Sequence, residues 1–313
     1  MEDCDCMDSE NKSRIAGDVE AVVTSFNQGK MLLEAVWSLC GQTVLPDRII
    51  IVDDGSTEEN SVRILKDIES VSESPVPVTV IRQQNAGVSA ARNTGICCTQ
   101  SPMVVVLDGD DKLEAAFIEQ VGGLLREDSS MCGASSWMHT FGVLDAAVHP
   151  TGGGIAEFLI RNCCPATHIL RREVWEKCGG YDEAMRAGFE DWDFFLRMLE
   201  TMPGAHIGIV PRPLLQYRTA AASANITSMS KRLELMRYII GKHVRSYQDH
   251  IADVILGMES ISMSRLYGWE NEISHSLEAE HSLSKEAEDF IKSPSYGDGG
   301  MAAAVRIASA HKV

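Results

Sequence analysis

Short, continuous apolar runs alternate with amphipathic segments through the first third of the chain. The runs are Glu20–Ser25, Arg48–Val52, Val76–Arg82 and Met103–Leu107, rich in β-branched residues. Each is too short for a helix and predicts a buried strand. Between them, Met31–Cys40, Glu58–Ser70 and Gly87–Cys98 carry helical spacing, with Ser56 or Thr57 as cap of the second. This alternation predicts an α/β domain with a parallel sheet and helical crossovers. A helix is expected at Leu113–Arg126, and then the pattern weakens. Residues 131–148 alternate loosely as strands, and the breaker run HPTGGG at 149–154 is expected to be mobile. Ile155–Arg161 and Arg172–Lys177 read as short helices around a strand at Ala166–Leu170, the second closed by Gly179 and Gly180. Glu190–Glu200 reads as a helix, and His206–Val210 and Leu214–Arg218 as two short strands.

From Ser230 the chain turns helical. Leu233, Met236, Ile240, Val244, Tyr247, Ile251 and Val254 recur at steps of three or four and predict one apolar face that packs on the domain. Lys231, Arg232, Arg237, Lys242 and Arg245 make this stretch basic, which leaves open a contact with an anionic membrane surface or a partner. SPSYGDGG at 293–300 reads as flexible.

The 313 residues, 44% of them hydrophobic, suffice for one large domain with a helical appendage. A net charge of −17 argues against a nucleic-acid partner, but not against a nucleotide whose charge a metal offsets. No apolar run approaches the roughly 18 residues that span a bilayer. The acidic start MEDCDCMDSENKSR lacks a signal-peptide pattern. The nine cysteines include the adjacent pairs Cys97–Cys98 and Cys163–Cys164 and no paired zinc spacing, so reduced thiols in a cytoplasm are expected. Cys4 and Cys6 are too few for a metal site.

The candidate chemistry centres on VVVLDGDDK, residues 104–112. A buried strand delivers Asp108, Asp110 and Asp111 at its carboxyl end, where open α/β sheets bind ligands. Crowded carboxylates repel unless a hard cation lies among them, and Gly109 lets backbone approach closely. An acidic turn with an Asp as helix cap is the competing account. IIIVDDGST at 49–57 repeats the theme. Asp53 or Asp54 there would accept from a ribose or base, or cap a helix. VVTSFNQGKMLLEAVWSL at 22–39 places a polar turn before a helix, either ligand-binding or structural. In QNAGVSAARNTGI, residues 84–96, small residues allow close helix–sheet packing, and Arg92 would pair with a carboxylate or phosphate. GFEDWDFFLRM at 188–198 sets Glu190, Asp191 and Asp193 around Trp192 at a helix start. The acids favour the helix dipole, or one is a general base beside an aromatic wall.

In order and spacing these segments, with GGYDEAMRAGFEDWDFFLRM and QYR, resemble the family-2 glycosyltransferases of the GT-A fold over about residues 18–220. The resemblance implies a Rossmann-like, mixed and mostly parallel sheet flanked by helices, with a C-terminal helical extension. It places a catalytic domain at 17–228, made of a nucleotide-binding half (17–112) and an acceptor-binding half (113–228). A disordered acidic tail (1–16) would precede it; a helical extension (229–292) and a flexible tail with room for a short helix (293–313) would follow. It implies inverting transfer of a sugar from a nucleotide diphosphate, a UDP-hexose or UDP-N-acetylhexosamine by family frequency, to a glycan, lipid-linked or peptide acceptor. Thr24, Phe26 and Asn27 would line the nucleotide pocket. Asp53 would hold the base or ribose with Asp54 nearby, and Asn85, Arg92 and Gly109 would border the donor. Asp108 would face the ribose and the metal's waters, and Asp110 would bind Mn²⁺ or Mg²⁺. Asp111 would cap the next helix or orient the turn. Asp191 would be the base, with Glu190, Trp192 and Asp193 on the acceptor side.

One departure stands out. Many relatives read Tyr-Arg-x-His where this chain has Tyr217, Arg218, Thr219 and Ala220. Alanine cannot ligate, so His168 or His206 would have to compensate. Two other functions remain: a nucleotidyltransferase on a related fold, and a nucleotide-sugar binder without catalysis. Intact Asp108, Asp110 and Asp191 oppose the binder, and Ala220 favours it.

Overall fold

The computed structural model describes residues 14–71, 73–220, 228–267, 283 and 285–311. The strands are β1 (Arg14–Ile15), β2 (Val19–Ser25), β3 (Val44–Leu45), β4 (Ile49–Asp53), β5 (Val78–Arg82), β6 (Met103–Asp108), β7 (Lys112–Leu113), β8 (Met131–Gly142), β9 (Ala146–Val148), β10 (His168–Arg171) and β11 (His206–Thr219). The helices are α1 (Lys30–Cys40), α2 (Glu59–Ser70), α3 (Val88–Cys97), α4 (Phe117–Glu127), α5 (Ile155–Ile160), α6 (Arg172–Cys178), α7 (Glu190–Leu199), α8 (Arg232–Lys242), α9 (Val244–Asp249), α10 (Ile251–Tyr267), α11 (Lys285–Lys292) and α12 (Gly300–His311).

The main sheet runs β5-β4-β2-β6-β10-β8-β11-β7, with β9 on β8. Strands β5, β4, β2 and β6 are mutually parallel, and β10 is antiparallel to both its neighbours. Every residue of β2 is buried. Val19, Ala21 and Val23 pack with α1, α2 and α4, while Val22 packs with Ile50, Val52, Val104 and Val106 against α3 and α7. Burial on both faces explains why these strands read as continuous apolar runs. Helix α3 lies so close that a Cβ on Gly95 would fall 2.3 Å from Val22 Cγ1.

Several boundaries differ from the sequence pattern. Residues Arg14 and Ile15, expected in a disordered tail, pair with Val44 and Leu45; residues 1–13, with Cys4 and Cys6, lie outside the described residues. Lys112 and Leu113 form β7 against β11, so the helix expected at Leu113 starts at Phe117. The two strands expected at 206–218 are one strand. Its register against β8 slips around Pro211 and Pro213, which lack the N–H a ladder needs. The HPTGGG run is tied down. Gly152 N–H donates to Cys163 O at 3.0 Å, and Gly153 and Ile207 exchange backbone bonds at 3.0 and 2.9 Å.

The largest correction concerns the C-terminal helices. Leu235, Met236, Ile239, Tyr247 and Val254 are the buried residues, whereas Leu233 (85%), Ile240, Val244 and Ile251 are exposed. Of the expected stripe Met236, Tyr247 and Val254 are buried, while Leu233 and Ile240 lie on the outer face of α8, whose inner face is Leu235, Met236 and Ile239; beyond it the single expected helix breaks at His243 and His250. Residues 293–300, expected to be flexible, fold back: Tyr296 Oη donates to Cys164 O at 2.9 Å, and Asp298 accepts from Gly300 N–H at 2.9 Å. Helix α12 buries Ala304, Val305, Ile307 and Ala308 against Leu144, Ala146 and Ile291. Among the described residues no helix is long and apolar enough to cross a membrane.

Candidate active site

The chain adds β4 and β5 on one side of β2 and then returns to place β6 on the other. That reversal opens a crevice at the carboxyl ends of β2 and β6. Thr24 and Asp108 are register partners there, and Thr24 Oγ1 donates to Asp108 Oδ1 at 3.1 Å. Arg92, 1% exposed on α3, reaches the same carboxylate with Nη2 at 2.9 and 3.1 Å and extends Nη1 to Glu190 Oε1 at 3.0 Å. Burial opposes the guanidinium charge, but Asp108, Tyr181 and Glu190 hold it protonated well above its usual range. One buried cation therefore joins the first acidic turn to the second.

Gly109 is needed at that turn, since a Cβ would lie 2.5 Å from Thr24 O. Asp111 Oδ1 accepts from Arg218 N–H at 2.8 Å and orients the turn, while the N-cap of α4, Ala116, has no side-chain cap bond. Arg218 Nε donates to Asp110 O at 2.9 Å and Nη2 to Glu34 at 2.9 Å, so Arg218 clamps the acidic loop. Burial, and then Asp108, push Asp110 up to about 6. Its side chain accepts from Gln28 Nε2 at 3.2 Å, and Gln28 Oε1 is buried without a partner.

This is an oxygen-rich corner, and it fits a hard divalent cation. Asp110 would be the principal holder, because both Asp108 oxygens already accept from Arg92. No group of three or more His, Cys, Asp or Glu with metal-holding geometry occurs among the described residues. The set is thus of the kind in which one or two carboxylates share an ion with substrate phosphates. Neither histidine replaces the one missing at Ala220. His206 pairs with Asp128 at 3.3 Å, His168 Nδ1 meets Ala166 O at 2.7 Å in the core, and neither lines the cavity. Burial lowers His168 to about 4, so it stays neutral.

The other nucleotide-side candidates divide into two groups. Asp54 is committed to the fold: Oδ1 accepts from Gln83 Nε2 at 2.7 Å and Ala86 N–H at 2.8 Å, and Oδ2 from Gly87 N–H at 2.8 Å. Asn27, at φ 53°, accepts from the Thr57 and Glu58 amides at 2.9 and 3.0 Å just before α2, which has no side-chain cap from Ser56 or Thr57. Asn85 donates to Asp54 O at 3.0 Å, and buried Asp53 accepts from Ser56 N–H at 3.1 Å. Phe26, 49% exposed, presents a ring to solvent beside this corner.

The second acidic turn enters through Gly188 at φ 114° and Phe189 at φ 63°, a conformation costly for a non-glycine residue. It aims Glu190 and Asp191 into a cavity of about 210 Å³ that Arg92, Asp108, Asn162, Tyr217 and Tyr296 also line. Asp191 Oδ1 accepts from Trp192 N–H at 2.8 Å and Oδ2 from Asn162 Nδ2 at 2.9 Å. Burial, and then Glu190, push Asp191 up to about 7. Trp192 lines this cavity with little exposure: it is 1% exposed and donates Nε1–H to Phe158 O at 2.6 Å. One acceptor-side expectation needs correction. Asp193 faces away from the cavity into contacts with Arg197, Lys242 and His243 at 2.9, 2.9 and 3.1 Å. Sequence reasoning missed Gln28, Asn162, Tyr181 and Tyr296. Gln28 and Tyr181 lie in segments already singled out for the site; Asn162 and Tyr296 do not.

A family model described as glycosyl transferase family 2 matches residues 20–179, just over half of the chain. Among curated proteins, chondroitin synthase from Escherichia coli is 26% identical over 207 residues, covering 60% of this chain and 27% of that protein. The uncharacterized glycosyltransferase EpsJ from Bacillus subtilis is 33% identical over 103 residues, covering 33% of this chain and 29% of that protein. The chain thus spans less than a third of either relative's length. Among solved structures, S. aureus TarS 1-349 in complex with UDP-GlcNAc superposes with a TM-score of 0.59 at 16% identity, covering 87% of this chain and 78% of that one.

Proposed function

Since the chain belongs to glycosyl transferase family 2, and is a glycosyltransferase of GT-A fold, we propose that it moves a sugar from a UDP-sugar to an acceptor hydroxyl with inversion. The observation that carries this reading is the single cavity that Asp108 and Asp191 share, bridged by Arg92. The donor nucleotide would lie along the ends of β2, β4 and β6, with Asp53 toward the ribose or base and the exposed Phe26 ring against the base. The TarS structure with UDP-GlcNAc supports UDP as the nucleotide and a hexosamine as one candidate sugar.

Asp110, seconded by Asp108, would hold Mn²⁺ or Mg²⁺. Bound there, such an ion would neutralise charge on the departing diphosphate. Asp191 removes the proton from the acceptor hydroxyl as that oxygen attacks the far face of the donor carbon. A carboxylate raised toward neutrality is a stronger base than a free one and still ionises near pH 7. Glu190 is tied to Arg92, so it would shape the acceptor side rather than replace that base. The acceptor would be a glycan, a lipid-linked sugar or a peptide. Exposed Leu233, Ile240 and Val244, alternating with exposed Lys231, Arg237 and Arg245, support peripheral contact with an anionic membrane face. Seven described cysteines are free thiols, in keeping with a reducing, cytoplasmic setting.

A panel of UDP-glucose, UDP-galactose and UDP-N-acetylhexosamines, scored for UDP release with Mn²⁺, with Mg²⁺ and with chelator, tests the whole reading. Release from at least one donor with metal is expected. Asp191→Asn should cut it at least about 10²-fold while UDP affinity stays unchanged. UDP binding without turnover of any donor would instead favour the binder that Ala220 admits.

A further inference from the structure

The cavity at Asp191 is closed by a part of the chain far from the family match. Residues 295–302 run from the end of α11 into α12 and bring Tyr296, Gly297 and Met301 to its wall. This strap rests on the loop after α5. A Cβ on Gly297, at φ +81°, would lie 2.1 Å from Asn162 O, and Tyr296 Oη donates to Cys164 O at 2.9 Å. Between these two anchors the Asn162 side chain turns inward. Its Oδ1 accepts from the Cys164 amide at 3.2 Å, which leaves Nδ2 to donate to Asp191 Oδ2 at 2.9 Å. A backbone N–H can only donate, so the orientation of the Asn162 amide follows from its partner.

We infer that Asn162 is a positioning residue for the Asp191 base, and that the C-terminal strap at Tyr296–Gly297 holds Asn162 in place. The inference rests on the reading of Asp191 as base. Apart from the amide of its own neighbour Trp192, Asn162 is the donor the structure gives this carboxylate. The bond fixes the direction of the free lone pairs and favours the ionised form, against the burial that disfavours it. It also gives the C-terminal segment a catalytic purpose: without the strap, the 161–164 loop would lose the surface it is pressed against. The charged groups around Asp191 are Glu190 on its own helix, Arg92 from α3, and Asp108 and Arg232 on the cavity wall. Cys164, Tyr181, Tyr217 and Tyr296 also face it, and burial pushes all four up, so they stay neutral around pH 7.

The test uses the full chain, UDP-N-acetylglucosamine as probe, UDP release at pH values on both sides of 7, and UDP affinity by calorimetry. Asn162→Ala is expected to lower kcat by about tenfold, the scale of one hydrogen bond to a charged group. Because the lost donor stabilised the carboxylate, the acid limb of the pH profile should move to higher pH. Asn162→Asp keeps the acceptor for the Cys164 amide but sets a second carboxylate on Asp191, and should move the limb further. Gly297→Val, which pushes the strap off Asn162, should repeat the Asn162→Ala pattern. In all three, UDP affinity should match the wild type. A wild-type kcat and acid limb in Asn162→Ala overturns the inference while leaving Asp191 as base. Loss of UDP affinity in step with activity makes Asn162 merely structural and overturns it too. Wild-type activity that survives Asp191→Asn takes down the base reading and this inference together.

Discussion

The two walls of the cavity are assembled in different ways. On the nucleotide side, contacts link strand ends that the parallel sheet already sets side by side. Asp54 holds residues 83, 86 and 87, Asn27 holds 57 and 58, and Thr24 holds Asp108. On the acceptor side, Asp191 is held by Asn162 and enclosed by Tyr217 and Tyr296, which come from a loop, the far half of the sheet and the C-terminal strap. The first wall follows from topology, and its parts are short motifs. The second depends on docking separate segments, so its geometry belongs to this chain rather than to the motif set.

Arg92 is where the walls meet, and its removal should have the largest effect. Arg92→Leu leaves Asp108 and Glu190 as neighbouring, mostly buried carboxylates without their cation. Breaking a buried ion pair from one side typically costs about 3–5 kcal/mol. Chemical denaturation should show a loss of that size, with no measurable UDP release. A loss below about 1 kcal/mol would mean that the two acids are solvated well enough not to need the cation, and that the walls are independent.

A smaller effect, confined to the nucleotide wall, is expected at Asp110. Its folded value of about 6 lies above its ordinary 3.8, so the folded state binds this proton more tightly than the unfolded one. Stability from this group is therefore present at low pH and is lost as pH rises through about 6. Asp110→Asn mimics the protonated form and should leave the melting temperature unchanged or raise it. Metal-stimulated UDP affinity should fall about tenfold or more, since even outer-shell partners of a metal are worth that much. Equal UDP affinity with and without Mn²⁺ in the wild type would remove Asp110 as the holder of an ion.

The contrast between the walls also explains what the sequence disclosed. Strands β2, β4, β5 and β6, helices α1, α2 and α3, and the acids at 53, 54, 108 and 110 were legible because period and composition act locally. The roles within those motifs were less so. Asp54 and Asn27 are used up by backbone amides, which a strand-end Asp and a turn Asn do not announce. The resemblance places Asp193 on the acceptor side with Asp191 and Trp192. A helix turns 100° per residue, however, and the Asp193 side chain leaves the cavity for Lys242. Asn162 and Tyr296 had no signal at all, because what recruits them is tertiary contact, across 29 residues from Asn162 to Asp191 and 132 from Tyr296 to Cys164.

The smallest effect on stability separates the two faces of α8. Ile239 is fully buried and Leu233 is 85% exposed, although helical spacing placed Leu233 in the packing stripe. Ile239→Ala should cost about 2–5 kcal/mol in chemical denaturation, the range for emptying a buried aliphatic site. Leu233→Ser should change stability by no more than about 0.5 kcal/mol, as for an exposed position without special contacts. Equal costs at both sites would put Leu233 in the core and restore the stripe that the sequence suggests. The same Leu233→Ser variant bears on membrane contact, because a residue that stabilises nothing in the fold and lies beside Lys231 and Arg237 is placed to enter a lipid interface. Each basic side chain near an anionic surface adds about 1 kcal/mol, and an inserted leucine adds burial on top. The wild type should therefore sediment with anionic vesicles at low salt, the variant severalfold less, and neither with neutral vesicles. A wild type that ignores anionic vesicles ends the membrane reading, and the contrast between Ile239 and Leu233 then describes only how α8 seats its inner face on the domain.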